Sequence, residues 1–160
     1  VRLVVVGDGP LRARLQAAHP SAIFAGVQRG PALARHYASA DLFLFPSLTD
    51  TFGNVTLEAL ASGLALVAYD TAAAAQHVQD GVSGWLAPPA PGEAGWTGFL
   101  DKVARAAEPE AWHVDGPLRQ LARQAARRAD WDSVLGRFES LLRKTAAGAL
   151  PQRVGHAAMA

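Results

Sequence analysis

Short apolar runs that stop at glycine or proline, each followed by a segment of helical spacing, constrain this chain more than any other feature. Val1 to Val6 (VRLVVV) is nearly all β-branched or aliphatic and ends at Gly7-Asp8-Gly9-Pro10. A short apolar run closed by glycine reads as a strand buried on both faces, the kind that parallel sheets use. Pro10 suits a first helical turn, and Leu11 to Ala18 continues as a short helix. The alternation then repeats. Ala22 to Ala25 reads as a strand before Gly26, Pro31 to Ala38 as a helix, and Leu42 to Phe45 as a strand stopped by Pro46. Asn54 to Ser62 reads as a helix closed by Gly63, a favoured C-cap residue. Leu64 to Ala68 is a fourth strand, Ala72 to Gln79 a helix, and Gly84 to Ala87 a short fifth strand. Strands alternating with helices imply right-handed crossovers.

The expected fold class is therefore α/β: a Rossmann-like parallel sheet with helices on both faces. From Pro88 the pattern changes. PPAPGEAG is a loop, and Trp96 to Ala107, Pro117 to Ala129 and Trp131 to Ala147 read as helices. The last carries apolar residues at Val134, Leu135, Phe138, Leu141 and Leu142, and packing on its own domain is the simplest expectation. Residues 1–148 form one expected domain, with 149–160 as a flexible tail.

Composition narrows the function classes. Half the residues are hydrophobic, enough for a core, and the net charge of +1 argues against a strongly electrostatic nucleic-acid binder. No cysteine is present, which excludes disulfides, thiolate metal sites and cysteine nucleophiles. The five histidines are scattered without metal-ligand spacing, so no metal is expected. No signal peptide or membrane-spanning apolar run is visible, and a cytoplasmic location is the expectation. The chain opens on Val1, inside a strand-like run, as a piece cut from a longer protein would.

One segment concentrates chemistry. In open α/β sheets, ligands sit beyond the carboxyl ends of the strands. The loop Pro46 to Gly53 follows the LFLF strand and leads into the next helix. Gly53 lets backbone approach a ligand closely. Asn54 is a favoured N-cap type, and the first turn, Val55-Thr56-Leu57, holds no acidic side chain. Free N–H groups and the helix dipole there suit an anion such as a diphosphate. Glu58 lies four residues on, about 6 Å down the axis. A carboxylate there can accept from both hydroxyls of a ribose. Asp50, on the other side of the glycine turn, can accept from hydroxyls of a sugar on the far phosphate. The same pattern also fits an ordinary strand–loop–helix unit with a solvated Glu58, in a non-catalytic doubly wound domain that works by protein interaction.

The segment Ser47-Leu48-Thr49-Asp50-Thr51-Phe52-Gly53-Asn54-Val55-Thr56-Leu57-Glu58-Ala59-Leu60-Ala61-Ser62-Gly63 resembles the signature of family 4 retaining glycosyltransferases, which have the GT-B fold. Two acidic residues separated by seven others stand within a Pro-Ser…Phe-Gly…Glu-Ala…Gly frame. The context matches as well: GDGP after the first strand, YASADLFLFPS before the motif and DGVSGWL after it.

The resemblance implies the C-terminal, nucleotide-sugar-binding half of such an enzyme. By it, Glu58 binds the ribose and Asp50 holds the donor sugar, and these are the two catalytic-site positions. Ser47, Thr51, Phe52, Gly53, Asn54 and Val55 line the sugar and diphosphate, and Gly7 and Gly9 either line the nucleotide pocket or form a plain strand–helix turn. Asp50 departs from the pattern, because Glu is usual there and the carboxylate is one methylene shorter. A Gly-Arg…Lys-Gly segment that neutralises the diphosphate would precede Val1. The expected partner is a nucleotide-diphosphate-sugar donor, a substrate and not a cofactor. The acceptor is expected to bind mainly to an N-terminal domain outside this chain, which alone is expected to be inactive. Peripheral membrane contact of the full-length enzyme is compatible with the amphipathic last helix, and nucleic acid is not an expected partner. A GT-B-like nucleotide-sugar epimerase or a phosphorylase is the alternative within this fold. Tyr37 and Trp85 read as packing residues, and Tyr69 as lining a cleft edge.

Overall fold

The computed structural model describes residues 1–49, 53–90, 92–108 and 117–147. The expected tail at 149–160 lies outside them. The strands are β1 (Val4–Val6), β2 (Ile23–Gly26), β3 (Leu42–Phe45), β4 (Ala65–Tyr69) and β5 (Gly84–Ala87). The helices are α1 (Arg12–Ala18), α2 (Gly30–Ser39), α3 (Asn54–Ala61), α4 (Ala72–His77), α5 (Gly92–Ala106), α6 (Pro117–Arg127) and α7 (Trp131–Ala146). All strand pairings are parallel, and helices flank the sheets. The expected α/β class holds.

β4 is the centre of the core. It pairs with β3 on one side and β5 on the other, and all five of its residues are buried. Side chains alternate across a strand, so β4 feeds two separate clusters. Leu66 and Ala68 point to one face, where they meet Ala59 and Leu60 of α3, Ala74 of α4, and Ala122 and Ala125 of α6. Val67 and Tyr69 point to the other, against Ala87, Phe99 and Ala106. β3 obeys the same rule: Phe43 and Phe45 join the first cluster, Leu42 and Leu44 the second. A strand with no polar residue thus has a helix layer on each side.

Two expectations fail in instructive ways. Val1 to Val6 was expected to enter one continuous sheet as a buried strand. Instead β1 is only Val4–Val6 and pairs with β2 in a separate two-stranded sheet. Val4 and Val6 are 41% and 38% exposed. The residues are right for a doubly covered strand, but α1 buries none of its own residues against them. The amphipathic α7 was expected to pack on its own domain. All of its residues are exposed, including Leu135 and Phe138. Its N-terminus is nevertheless well formed, since the Asp130 carboxylate accepts from the Ser133 amide at 2.8 Å. Among the described residues, no helix is long and apolar enough to cross a membrane.

Candidate functional site

Because β3, β4 and β5 run parallel, their carboxyl ends at Phe45, Tyr69 and Ala87 share one edge. The loop from Pro46 leaves this edge and re-enters the fold at Gly53. Ser47 is half-buried at its start. Asp50, Thr51 and Phe52 lie outside the described residues.

The α3 N-terminus is built differently from expectation. The cap residue is Gly53, with φ 63° and ψ 31°, and Asn54 is the first helical residue. A left-handed backbone at the cap is free of strain only for glycine, so the turn selects Gly53 over a side-chain cap. Among the described residues no side chain caps the helix, and its first turn contains no acid. The N–H groups at Asn54 and Val55 thus meet no side-chain acceptor from the cap position, and among the described residues no acidic side chain of the first turn neutralises the positive end of the helix. Gly53 is buried, Val55 half-buried and Asn54 exposed.

Packing fixes where Glu58 goes. Thr56, Ala59 and Leu60 are the buried face of α3, at spacings of three and four. Glu58 falls outside that stripe and is exposed. Its Oε2 accepts a hydrogen bond from the Tyr37 hydroxyl of α2 at 3.0 Å. Burial of Tyr37 raises the phenol, and the bond to Glu58 and its negative charge add to this, pushing it up to about 12. The Tyr37 ring also meets Phe43 at 5.8 Å. The sequence shows Tyr37 as a packing aromatic near the end of a helix and as the first residue of YASADLFLFPS. Nothing in its spacing links it to a carboxylate 21 residues away. Thr56 is fully buried, and among the described residues its hydroxyl has no hydrogen-bond partner.

Gly7 and Gly9 stand at the carboxyl end of β1. The Gly7 amide donates to the Gly26 carbonyl at 2.8 Å, and the Gly9 amide donates to the Asp8 carboxylate at 2.8 Å. Both glycine amides are therefore already engaged, one by β2 and one within the turn. A Cβ added at either glycine would meet nothing within 4 Å, so their Cα faces are open to an approaching molecule. Tyr69 is not at a cleft edge. It is buried, its hydroxyl donates to the Gly95 carbonyl at 3.2 Å, and its ring meets Phe99. A shallow hollow of about 290 Å³ lies at the opposite, C-terminal end of α3, lined by Ala61, Arg123, Ala126, Arg127 and Asp130. It is remote from the strand ends and does not belong to this site.

The uncapped, acid-free start of α3 beside the strand ends and an exposed carboxylate one turn on can bind an anion and a polyol together. Residues 1–108 match the family described as glycosyl transferases group 1. The chain belongs to that family. A GDP-mannose-dependent alpha-mannosyltransferase of Mycobacterium tuberculosis is 47% identical over 88 residues, which cover 55% of this chain and 23% of that protein. The group 1 chain thus spans about a quarter of that relative's length. Two solved structures share its fold. The GtfA/B complex superposes with a TM-score of 0.74 at 23% identity, covering 92% of this chain and 30% of that one. Anabaena HepE in complex with UDP-glucose gives 0.65 at 22% identity, covering 90% and 41%. The group 1 chain therefore carries a GT-B-type α/β domain.

Proposed function

We propose that this chain is the donor-binding half of a retaining glycosyltransferase that transfers a sugar from a nucleoside-diphosphate sugar to an acceptor hydroxyl. The observation that carries the reading is the α3 start, where Gly53 leaves the N-terminus uncapped and Glu58 stands exposed one turn further on. The diphosphate sits at the helix N-terminus, and Glu58 accepts from the ribose hydroxyls. As the glycosidic bond breaks, charge grows on the leaving diphosphate, and preorganised N–H groups stabilise it there. Asp50 holds the donor sugar, as the family resemblance implies. The acceptor is held mainly by polypeptide outside these residues. The mannosyltransferase relative is named for GDP-mannose and the structural neighbour is bound to UDP-glucose, which supports a nucleoside-diphosphate sugar here, with GDP-mannose as the first donor to test.

Calorimetric titration of the full chain with GDP, UDP and ADP tests the site. At least one should bind, and Glu58→Ala should weaken it about tenfold or more. Unchanged affinity in that variant overturns the ribose role. Retention is read from the product of the full-length enzyme: an α-linked donor must give an α-linked product, and a β linkage refutes it.

A further inference from the structure

We infer that Tyr37 is the positioning residue for Glu58: its hydroxyl holds one carboxylate oxygen so that the other is presented to the ribose hydroxyls. The inference rests on the proposed role of Glu58 as the ribose acceptor. An exposed glutamate on a helix surface has three rotatable side-chain bonds and no fixed direction of its own. Here Oε2 is held by Tyr37 at 3.0 Å. Among the described residues, no hydrogen bond occupies Oε1.

Tyr37 is itself held. Its ring contacts Phe43 at 5.8 Å with a tilt of 57°, and Phe43 stacks on Phe45 at 5.9 Å. Both phenylalanines are on β3, on the face that carries α3. α2 ends at Ser39 and β3 begins at Leu42, so the short connection ties the last turn of α2 to the strand. The phenol is thereby fixed to the same strand whose loop delivers Gly53. Because the hydroxyl keeps its proton far above neutral pH, it acts as a donor toward Glu58. An acceptor with one oxygen already engaged and oriented favours a pair of hydroxyls over a deoxygenated sugar edge.

The test measures ribose discrimination in the full chain. Affinities for GDP and 2′,3′-dideoxy-GDP are compared in the unmodified protein, Tyr37→Phe, Glu58→Gln and the double variant, with the UDP pair run in parallel. The unmodified protein should favour the ribonucleotide about tenfold, and Glu58→Gln should abolish that preference. Tyr37→Phe keeps the ring and its contact with Phe43. It should cut the preference about threefold, leave dideoxy affinity and melting temperature unchanged, and add nothing to Glu58→Gln. If Glu58→Gln abolishes the preference while Tyr37→Phe retains all of it, the positioning role is wrong and the reading of Glu58 stands. If Tyr37→Phe weakens both nucleotides equally and lowers the melting temperature, Tyr37 is only a strut between α2 and α3. If the unmodified protein shows no preference, both roles fall.

Discussion

Gly84 shows how one residue can decide whether a sheet closes. It opens β5 opposite Leu66 of β4. A Cβ added there would lie 2.5 Å from the Leu66 carbonyl oxygen and 3.0 Å from Val78 Cγ1. Backbone and a fully packed valine surround the position, so the neighbours cannot move aside cheaply. Gly84→Ala should therefore lower stability by about 1–3 kcal/mol, seen as a lower urea midpoint with an unchanged slope. A change below a few tenths would mean that β5 can shift away from β4. The sequence shows a glycine at this point but not the clearance that demands it. The same limit applies to the site. Gly53 and Glu58 were legible, because a glycine before a helix and a carboxylate one turn on are local signals. The Asn54 cap was misread, because Gly53 adopts the cap conformation itself. Tyr37 reads from sequence as a packing residue and does pack on Phe43, but its bond to Glu58 is not legible, because that partner is set by the packing of α2 and α3 on β3 and not by spacing along the chain.

At the scale of elements, β5 and α5 are held by an ion pair that local pattern does not reveal. Lys102 of α5 reaches back to Asp80, in the turn before β5, at 2.8 Å, and Asp80 also accepts from the Leu86 amide at 2.8 Å. Desolvation pushes the Asp80 carboxyl up, but the Lys102 ammonium and the Leu86 N–H together outweigh it and hold the carboxyl below its ordinary value of 3.8. A carboxyl depressed in the folded state contributes stability that is complete above the unfolded value. That stability fades as pH falls through the folded value. The Asp80 side chain is 48% exposed, so the pair is worth about 1 kcal/mol or less. Thermal melts between pH 7 and pH 3 should show Asp80→Asn less stable at neutral pH, with the gap to the unmodified protein closing below about pH 4. A constant gap across that range would show that the loss does not come from the charge. Existence and order of the strands were legible, because every run is short, apolar and punctuated. Ends were less so: Val1 to Val6 contracts to Val4–Val6 in β1, since Ile23 to Gly26 offers a partner of only four residues.

For the whole molecule, two parallel sheets replace the single expected one, and their surroundings differ sharply. β4 has every residue buried, two strand neighbours and a helix layer on each face. β1 and β2 have one partner each, and Leu3, Val4, Val6 and Ile23 are exposed. The apolar pattern of the two regions is alike, so sequence alone assigns them the same burial. What separates them is which helices pack where, and that is a tertiary outcome. Amide exchange follows buried apolar contact and neighbouring strands, not hydropathy. Hydrogen exchange should therefore find the slowest amides in Ala65–Tyr69, intermediate rates in β3 and β5, and the fastest strand amides in Val4–Val6 and Ile23–Gly26. Saturating nucleotide provides an internal control. Binding at the α3 start stabilises the state that holds Gly53 and Asn54 in place, and at about 100 times the dissociation constant the gain is about 2.7 kcal/mol. Added protection should then centre on α3 and β3 if those elements open below the global limit. Protection of β1 equal to that of β4 without nucleotide would show that the two sheets open as one unit, and that the exposed valines are covered by packing these contacts do not contain.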